Sequence, residues 1–462
     1  MAKANSKAAA KAKSHTARAA SFLDSVRRST HIDKSAHDSA GKTHGHDGSG
    51  LPSGVGCNFM FATGVECSAP TIKNKRVRRD LLEECGHYER FREDLQLVVD
   101  LGLRVLRYGL PIHRIYLAPG KYDWSFADEA MGEIRRLDIT PILDLLHFGV
   151  PDWLGDFQNP ELPGRFAEYA AAVAERYSWV RYYTLVNEIY VTACNSARLG
   201  LWNEELKSDE AFVTALKNSI AANLLATKAI VHERPDAIIV QAESAEYTHQ
   251  AVTPPDPEIA LTNKLRLVSL DLLYARPPDA EVCHYLMDNG LTREEYDWFM
   301  ENDAPGYQIM GNDYYGRNER ILLPDGTLCH AEDVLGWYQI TRDYYNRYKK
   351  PVMHTETNTF DADENSTWLW KQWINILRMR ADGVPVLGFT WYSLTDQVDW
   401  DIALAEKRGR INECGLYDLE RRPRKVAHAY RSLLEQFGQI TIVPHGEMFD
   451  IAERPARLKV EV

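Results

Sequence analysis

Two glutamates, Glu188 and Glu356, close runs that read as buried strands, VRYYTLVNE over 180–188 and PVMHTE over 351–356. Carboxyls brought together from separate strands can divide one proton between them. One donates to a departing oxygen while the other, ionised, attacks or stabilises the positive charge that develops. That is the chemistry of breaking a sugar acetal. The residues at or just past the other strand ends suit it: Arg107, His147, Asn187, Asp313, Tyr314, Trp391, Tyr392, Asp399 and Trp400. An arginine and a tyrosine hydroxyl near Glu356 would hold it as a carboxylate, while a less charged setting leaves the proton on Glu188. Aromatic faces pack on the apolar faces of sugar rings. Read singly, each residue also has a plain structural use. Glu356 could cap the following helix, His147 could be a core histidine, Arg107 a barrel ion-pair partner, and Glu243 a rim or interior salt-bridge member. The Asn-Glu pair at 187–188 recurs at 203, 318 and 412, so only its context marks it out.

The context is an alternation of strand-like and helix-like runs from Cys57 onward. Strand patterns fall at 57–66, 103–109, 139–147, 180–188, 237–243, 308–315, 351–356 and 385–392, each rich in β-branched or aromatic residues. Between them lie runs with helical spacing, such as FREDLQLVVDLG, SFADEAMGEIRRLD and STWLWKQWINILRMRADG. Eight such units predict a closed (β/α)8 TIM barrel, whose catalytic groups sit at the carboxyl ends of the strands. A doubly wound sheet would carry a Gly-rich phosphate turn after an early strand, and the chain has none. The stretch from Glu243 to Gln308 has no clear strand and reads as an inserted lid or rim loop.

The first fifty residues differ in composition, with nine Lys or Arg against four Asp; this +5 leaves −17 on the remainder of a chain whose total is −12. Residues 1–55 therefore read as a disordered basic tail, 56–440 as the single catalytic barrel domain and 441–462 as a peripheral C-terminal tail. A transit peptide or a nucleic-acid anchor are the alternatives for the N-terminal tail. No apolar run reaches membrane-spanning length and no secretory core is present, which favours a soluble cytoplasmic protein with neither membrane nor nucleic acid as partner. Seven scattered cysteines without a Cys-x-x-Cys suggest free thiols. No metal or organic cofactor is expected.

The residues also resemble a family. RYGLPIHR, HFGVP, NEI, GNDYY, HTETN, YSLTDQVDW and GLYDLERRPRK follow, in order, the motifs of glycoside hydrolase family 1, the β-glucosidase and β-galactosidase type, and resemble its divergent bacterial members. The resemblance implies a retaining enzyme in which Glu356 is the nucleophile and Glu188 the acid/base. It places Asn187 on the sugar 2-hydroxyl, Arg107 and His147 at the site, and the tyrosine that bonds the nucleophile at Tyr314. Five departures bear on sugar recognition. Ile189 replaces a proline, Asp313 an asparagine, Tyr392 a tryptophan with Trp391 beside it, and Asp399 a glutamate; the strand-one glutamine has no match, Glu66 being the nearest polar residue. The reading is a retaining β-glycosidase acting on a small carbohydrate, with a catalytically weak sugar-binding barrel as the alternative. No lysine near Asp399 and Trp400 suits gripping a sugar 6-phosphate, the first after them being Lys407 beside Arg408, so the expected substrate is an unphosphorylated β-glycoside other than simple cellobiose, with weak activity on aryl β-glucosides.

Overall fold

A computed structural model describes residues 21–27, 58–331 and 333–440. Eight parallel strands close a barrel: β1 (Met60–Gly64), β2 (Val105–Gly109), β3 (Thr140–Leu146), β4 (Tyr182–Val186), β5 (Ile238–Ser244), β6 (Tyr307–Asp313), β7 (Val352–Glu356) and β8 (Val386–Tyr392). All eight sequence-derived strands are present. Closure is made by β1, which pairs with β2 through Gly64↔Arg107 and with β8 through Gly64↔Tyr392. Those registers bring Arg107 and Tyr392 to the same height at the carboxyl end.

The helices of the outer layer are α1 (His87–Leu101), α2 (Ser125–Arg136), α3 (Leu162–Arg176), α4 (Asp209–Glu233), α5 (Gly336–Tyr348), α6 (Asn365–Ala381) and α7 (Lys425–Phe437). Their ends follow ordinary rules: Ser208 caps α4 by accepting from the Ala211 N–H, and Gly102 ends α1 in the left-handed conformation. One apolar cluster fills the space between strands and helices. A second, built from Met60, Ala62, Ile142, Tyr182, Ile238, Val240, Ile309, Met353 and Leu387, plugs the barrel interior. With that plug in place, polar side chains concentrate at the strands' carboxyl ends.

Two expectations are corrected. The stretch between Glu243 and Gln308 contains a strand, Tyr247–Gln250, which pairs with Glu319–Leu322; that strand pairs in turn with Leu328–His330, giving a small three-stranded sheet beside the barrel. Four short helices follow, Pro257–Leu265, Val268–Leu273, Ala280–Asp288 and Arg293–Met300. Glu243 makes no ion pair among the described residues. Its buried carboxylate accepts from the Tyr190 N–H at 3.1 Å and from the Ser269 hydroxyl.

The other correction concerns the basic tail. Residues 21–27 are helical, and Phe22, Leu23, Ser25 and Val26 are buried on one face. The Phe22 ring meets Trp298 edge-on at 6.0 Å and Phe299 at 6.2 Å, and the Lys217 ammonium lies 5.3 Å from its centroid. The rest of the N-terminal tail and residues 441–462 lie outside the described residues. Because a buried phenylalanine typically contributes about 3 kcal/mol, Phe22→Ala should lower the urea midpoint of the full chain. An unchanged midpoint would show that this segment adds nothing to the fold.

Candidate active site

A cavity of about 490 Å³ opens at the carboxyl end of the barrel, and Glu188 and Glu356 both line it, with Glu66, His147, Tyr315, Tyr392, Gln397 and Trp400. Arg107 organises its floor from below. This buried guanidinium, projecting from β2, pairs with Glu356 at the end of β7, donates to Asp144 of β3 at 2.8 Å and to Asn187 after β4, and lies 4.0 Å from Asp313 of β6. His147 continues the network: its Nδ1 is 2.8 Å from Asp144 and its Nε2 is 3.0 Å from the Asn187 amide.

The two glutamates have different surroundings. Glu356 meets Arg107 through one oxygen and accepts from the Tyr315 hydroxyl at 2.7 Å through the other, so both oxygens face donors suited to an ionised carboxylate. Glu188 sits directly after β4 with φ 40° and ψ 65°, a left-handed conformation uncommon for a side-chain-bearing residue, held by its N–H donating to Ala242 at 2.9 Å. Among the described residues nothing hydrogen-bonds its carboxyl. Burial, and after it the charges of Asp313 and Glu356, pushes that carboxyl well above the usual range. Asp313 is likewise pushed well up, by burial and then by Glu356, against the pull of Arg107. For His147, burial acts downward, but Cys67 and the Asp144 carboxylate outweigh it and leave the imidazole well above its ordinary value.

The structure assigns the neighbouring tyrosines differently from the sequence. Tyr314 turns outward, donating to Glu319 at 2.8 Å and stacking on Trp368, while Tyr315 reaches Glu356. The pairing register between β6 and β7 shifts at Asn312/Asp313, and β6 ends at Asp313, so strand alternation gives no guide to the two tyrosines beyond. Of the β8 pair, Tyr392 faces the cavity, its ring 6.1 Å from that of His147 and nearly parallel to it. Trp391 faces away, and its indole donates to the Cys414 carbonyl at 3.0 Å. A Cβ on Gly64 would collide with the Tyr392 ring, so glycine there is a condition of that packing.

Asp399 is also corrected. It is fully buried, paired with Arg79 at 3.0 Å and accepting from the N–H groups of Arg408, Gly409 and Arg410, so it anchors a loop and does not line the cavity. Its place at the cavity wall is taken by Glu66, which accepts from the Ser68 N–H and Gln397 amide, each at 2.9 Å, and from the Trp400 indole at 3.1 Å. Sequence reasoning missed Asp144, although a lone acid inside the apolar run ITPILDLLH was a usable signal. It also missed Tyr315 and Gln397. Among the described residues, Cys67, Asp144 and His147 bring ligand-type atoms within 4.8 Å of one another. Asp144 is already engaged by Arg107 and His147, and the Cys67 thiol lies 3.4 Å from the imidazole.

Comparison with known proteins is consistent with this geometry. Residues 69–268 match the model of Glycosyl hydrolase family 1. A 6-phospho-beta-glucosidase of Clostridium longisporum is 25% identical over 420 residues, covering 76% of this chain and 86% of that protein. The 6-phospho-beta-glucosidase AscB of Escherichia coli (strain K12) is 24% identical over 380 residues, covering 71% of this chain and 78% of its own length. These matches bear out the resemblance to glycosyl hydrolase family 1. The barrel fold is shared with the β-glucosidase of Thermotoga maritima, solved with castanospermine: TM-score 0.69 at 17% identity, spanning 83% of this chain and 98% of that one.

At the site described here, Tyr315→Phe should reduce kcat for an aryl β-glycoside at least tenfold, because the Glu356 oxygen loses its hydroxyl donor. Tyr314→Phe should act on the melting temperature and leave kcat within about twofold. The reverse pattern would reinstate Tyr314.

Proposed function

We propose that the protein hydrolyses a β-glycoside with retention of configuration, using Glu356 as nucleophile and Glu188 as acid and then base. The supporting observation is the contrast between the two carboxyls in one cavity, Glu356 faced by Arg107 and Tyr315, and Glu188 without a donor and pushed well up by burial. In the first step the Glu356 oxygen bonds to the anomeric carbon as the glycosidic bond breaks and Glu188 gives its proton to the leaving oxygen. In the second, Glu188 takes a proton from water, whose oxygen displaces Glu356. Arg107 neutralises the carboxylate between turnovers. Asn187 and His147 hold the floor beneath the sugar, while Trp400 and Tyr392 provide ring faces to it.

The sugar unit is proposed to be unphosphorylated, in contrast to the substrates that the relatives' names carry. Lys407 pairs with Glu84 at 3.4 Å and Arg408 with Glu406 at 2.9 Å, and neither lines the cavity. The wall near Trp400 instead presents Glu66, an acid that would repel a phosphate dianion if ionised. An aryl β-glucoside should therefore exceed its 6-phosphate in kcat/KM, and a tenfold advantage for the phosphate would overturn this part of the proposal.

The acid role has its own test. Glu356→Ala should abolish turnover of every substrate, whereas Glu188→Ala should keep a fast first step with a dinitrophenyl leaving group, which needs little protonation. Wild-type kcat/KM on an unactivated glycoside should fall as pH rises through the raised pKa of Glu188, since the proton to be donated is then lost. Equal losses on activated and unactivated substrates in Glu188→Ala would exclude it as the acid.

A further inference from the structure

The cavity is graded with depth. Its floor is made of buried groups, Glu66, His147, Glu356, Tyr392 and Gln397, around the two carboxyls. Its outer wall combines apolar surface with basic groups: Leu199 and Leu328 are 50% and 49% exposed, Phe360 is half-buried, and Arg317 and His330 are exposed. A substrate whose anomeric carbon lies against Glu356 must project its leaving group outward along this wall.

Arg317 is the distinctive group there. It follows β6 two residues beyond Tyr315, its guanidinium lies 3.9 Å from the centre of the Phe360 ring, and it donates to the Trp400 carbonyl at 3.2 Å. The stacked ring and the carbonyl fix its position at the mouth, yet no carboxylate among the described residues pairs with it. The other arginine on this wall, Arg320, does have an acid, Glu246 at 3.4 Å. A guanidinium held on an aromatic face keeps its remaining N–H donors free for a planar anion.

We infer that Arg317 recognises an anionic group, a carboxylate or phosphate, on an otherwise apolar leaving group that packs against Leu199, Leu328 and Phe360. The inference rests on the glycosidase reading for the direction in which the leaving group points.

The test uses two matched 1-thio-β-glucosides that resist hydrolysis, one with a 4-(carboxymethyl)phenyl and one with a 4-(carbamoylmethyl)phenyl group. Their Kd values are measured by calorimetry on the full chain and on Arg317→Gln, with melting temperatures to check folding. The carboxylate should bind at least fivefold more tightly than the amide to the wild type, and the ratio should fall to about one in Arg317→Gln. Arg317→Lys should keep part of the preference. No binding of either compound, no preference in the wild type, or a preference that persists in Arg317→Gln overturns the inference. So does an Arg317→Gln loss confined to a 6-phosphorylated thioglucoside with the neutral group, because the anion would then belong to the sugar. The O-linked pair separates the two proposals: an Arg317-dependent Kd preference without hydrolysis of either O-linked compound removes the glycosidase reading and leaves the anion site standing.

Discussion

A buried guanidinium is costly unless its charge is matched, and Arg107 is matched from several directions at once. Asp144 and Glu356 supply carboxylates, the Asn187 side-chain amide oxygen accepts from it, and Asp313 stands 4.0 Å away. These residues come from five different barrel strands or their ends, so the network joins catalytic geometry to barrel closure. Removing any one acidic partner would leave charge uncompensated in the interior, a cost of several kcal/mol. The site is therefore rigid for the same reason that this end of the barrel is stable.

The same network separates the two glutamates. Arg107 and Tyr315 take both oxygens of Glu356, while Glu188, placed by a left-handed backbone turn, meets burial and the like charges of Asp313 and Glu356. A double displacement needs one carboxyl ionised while the other keeps its proton, and here Glu356 meets two donors while Glu188 meets none and is pushed up by burial. Withdrawing Asp399 into a loop anchored by Arg79 and installing Glu66 at the wall changes what the floor presents to a sugar without touching that separation.

The eight strands and both glutamates were legible in the sequence because they rest on patterns that survive divergence: β-branched runs ended by polar residues, in a fixed order of motifs. What escaped was set by geometry that periodicity does not carry. Tyr314 and Tyr315 lie past the end of β6, next to a register shift, where Tyr314 bonds Glu319 and Tyr315 bonds Glu356. Asp399 keeps the charge expected at its position but is one carbon shorter, and three backbone amides together with Arg79 hold it away from the cavity. The helix at residues 21–27 buries its apolar face in seven residues, too few for a helical period to stand out within a basic, alanine-rich segment.

The most direct test of the account is mass spectrometry of the protein after incubation with a 2-deoxy-2-fluoro-β-glycoside carrying a dinitrophenyl leaving group. Fluorine slows both steps and the activated leaving group spares the first, so a retaining enzyme should accumulate a glycosyl ester. The account predicts a single added fluorosugar on the peptide containing Glu356, absent from Glu356→Gln. Release of dinitrophenol with no adduct, or an adduct on another carboxylate, would contradict it.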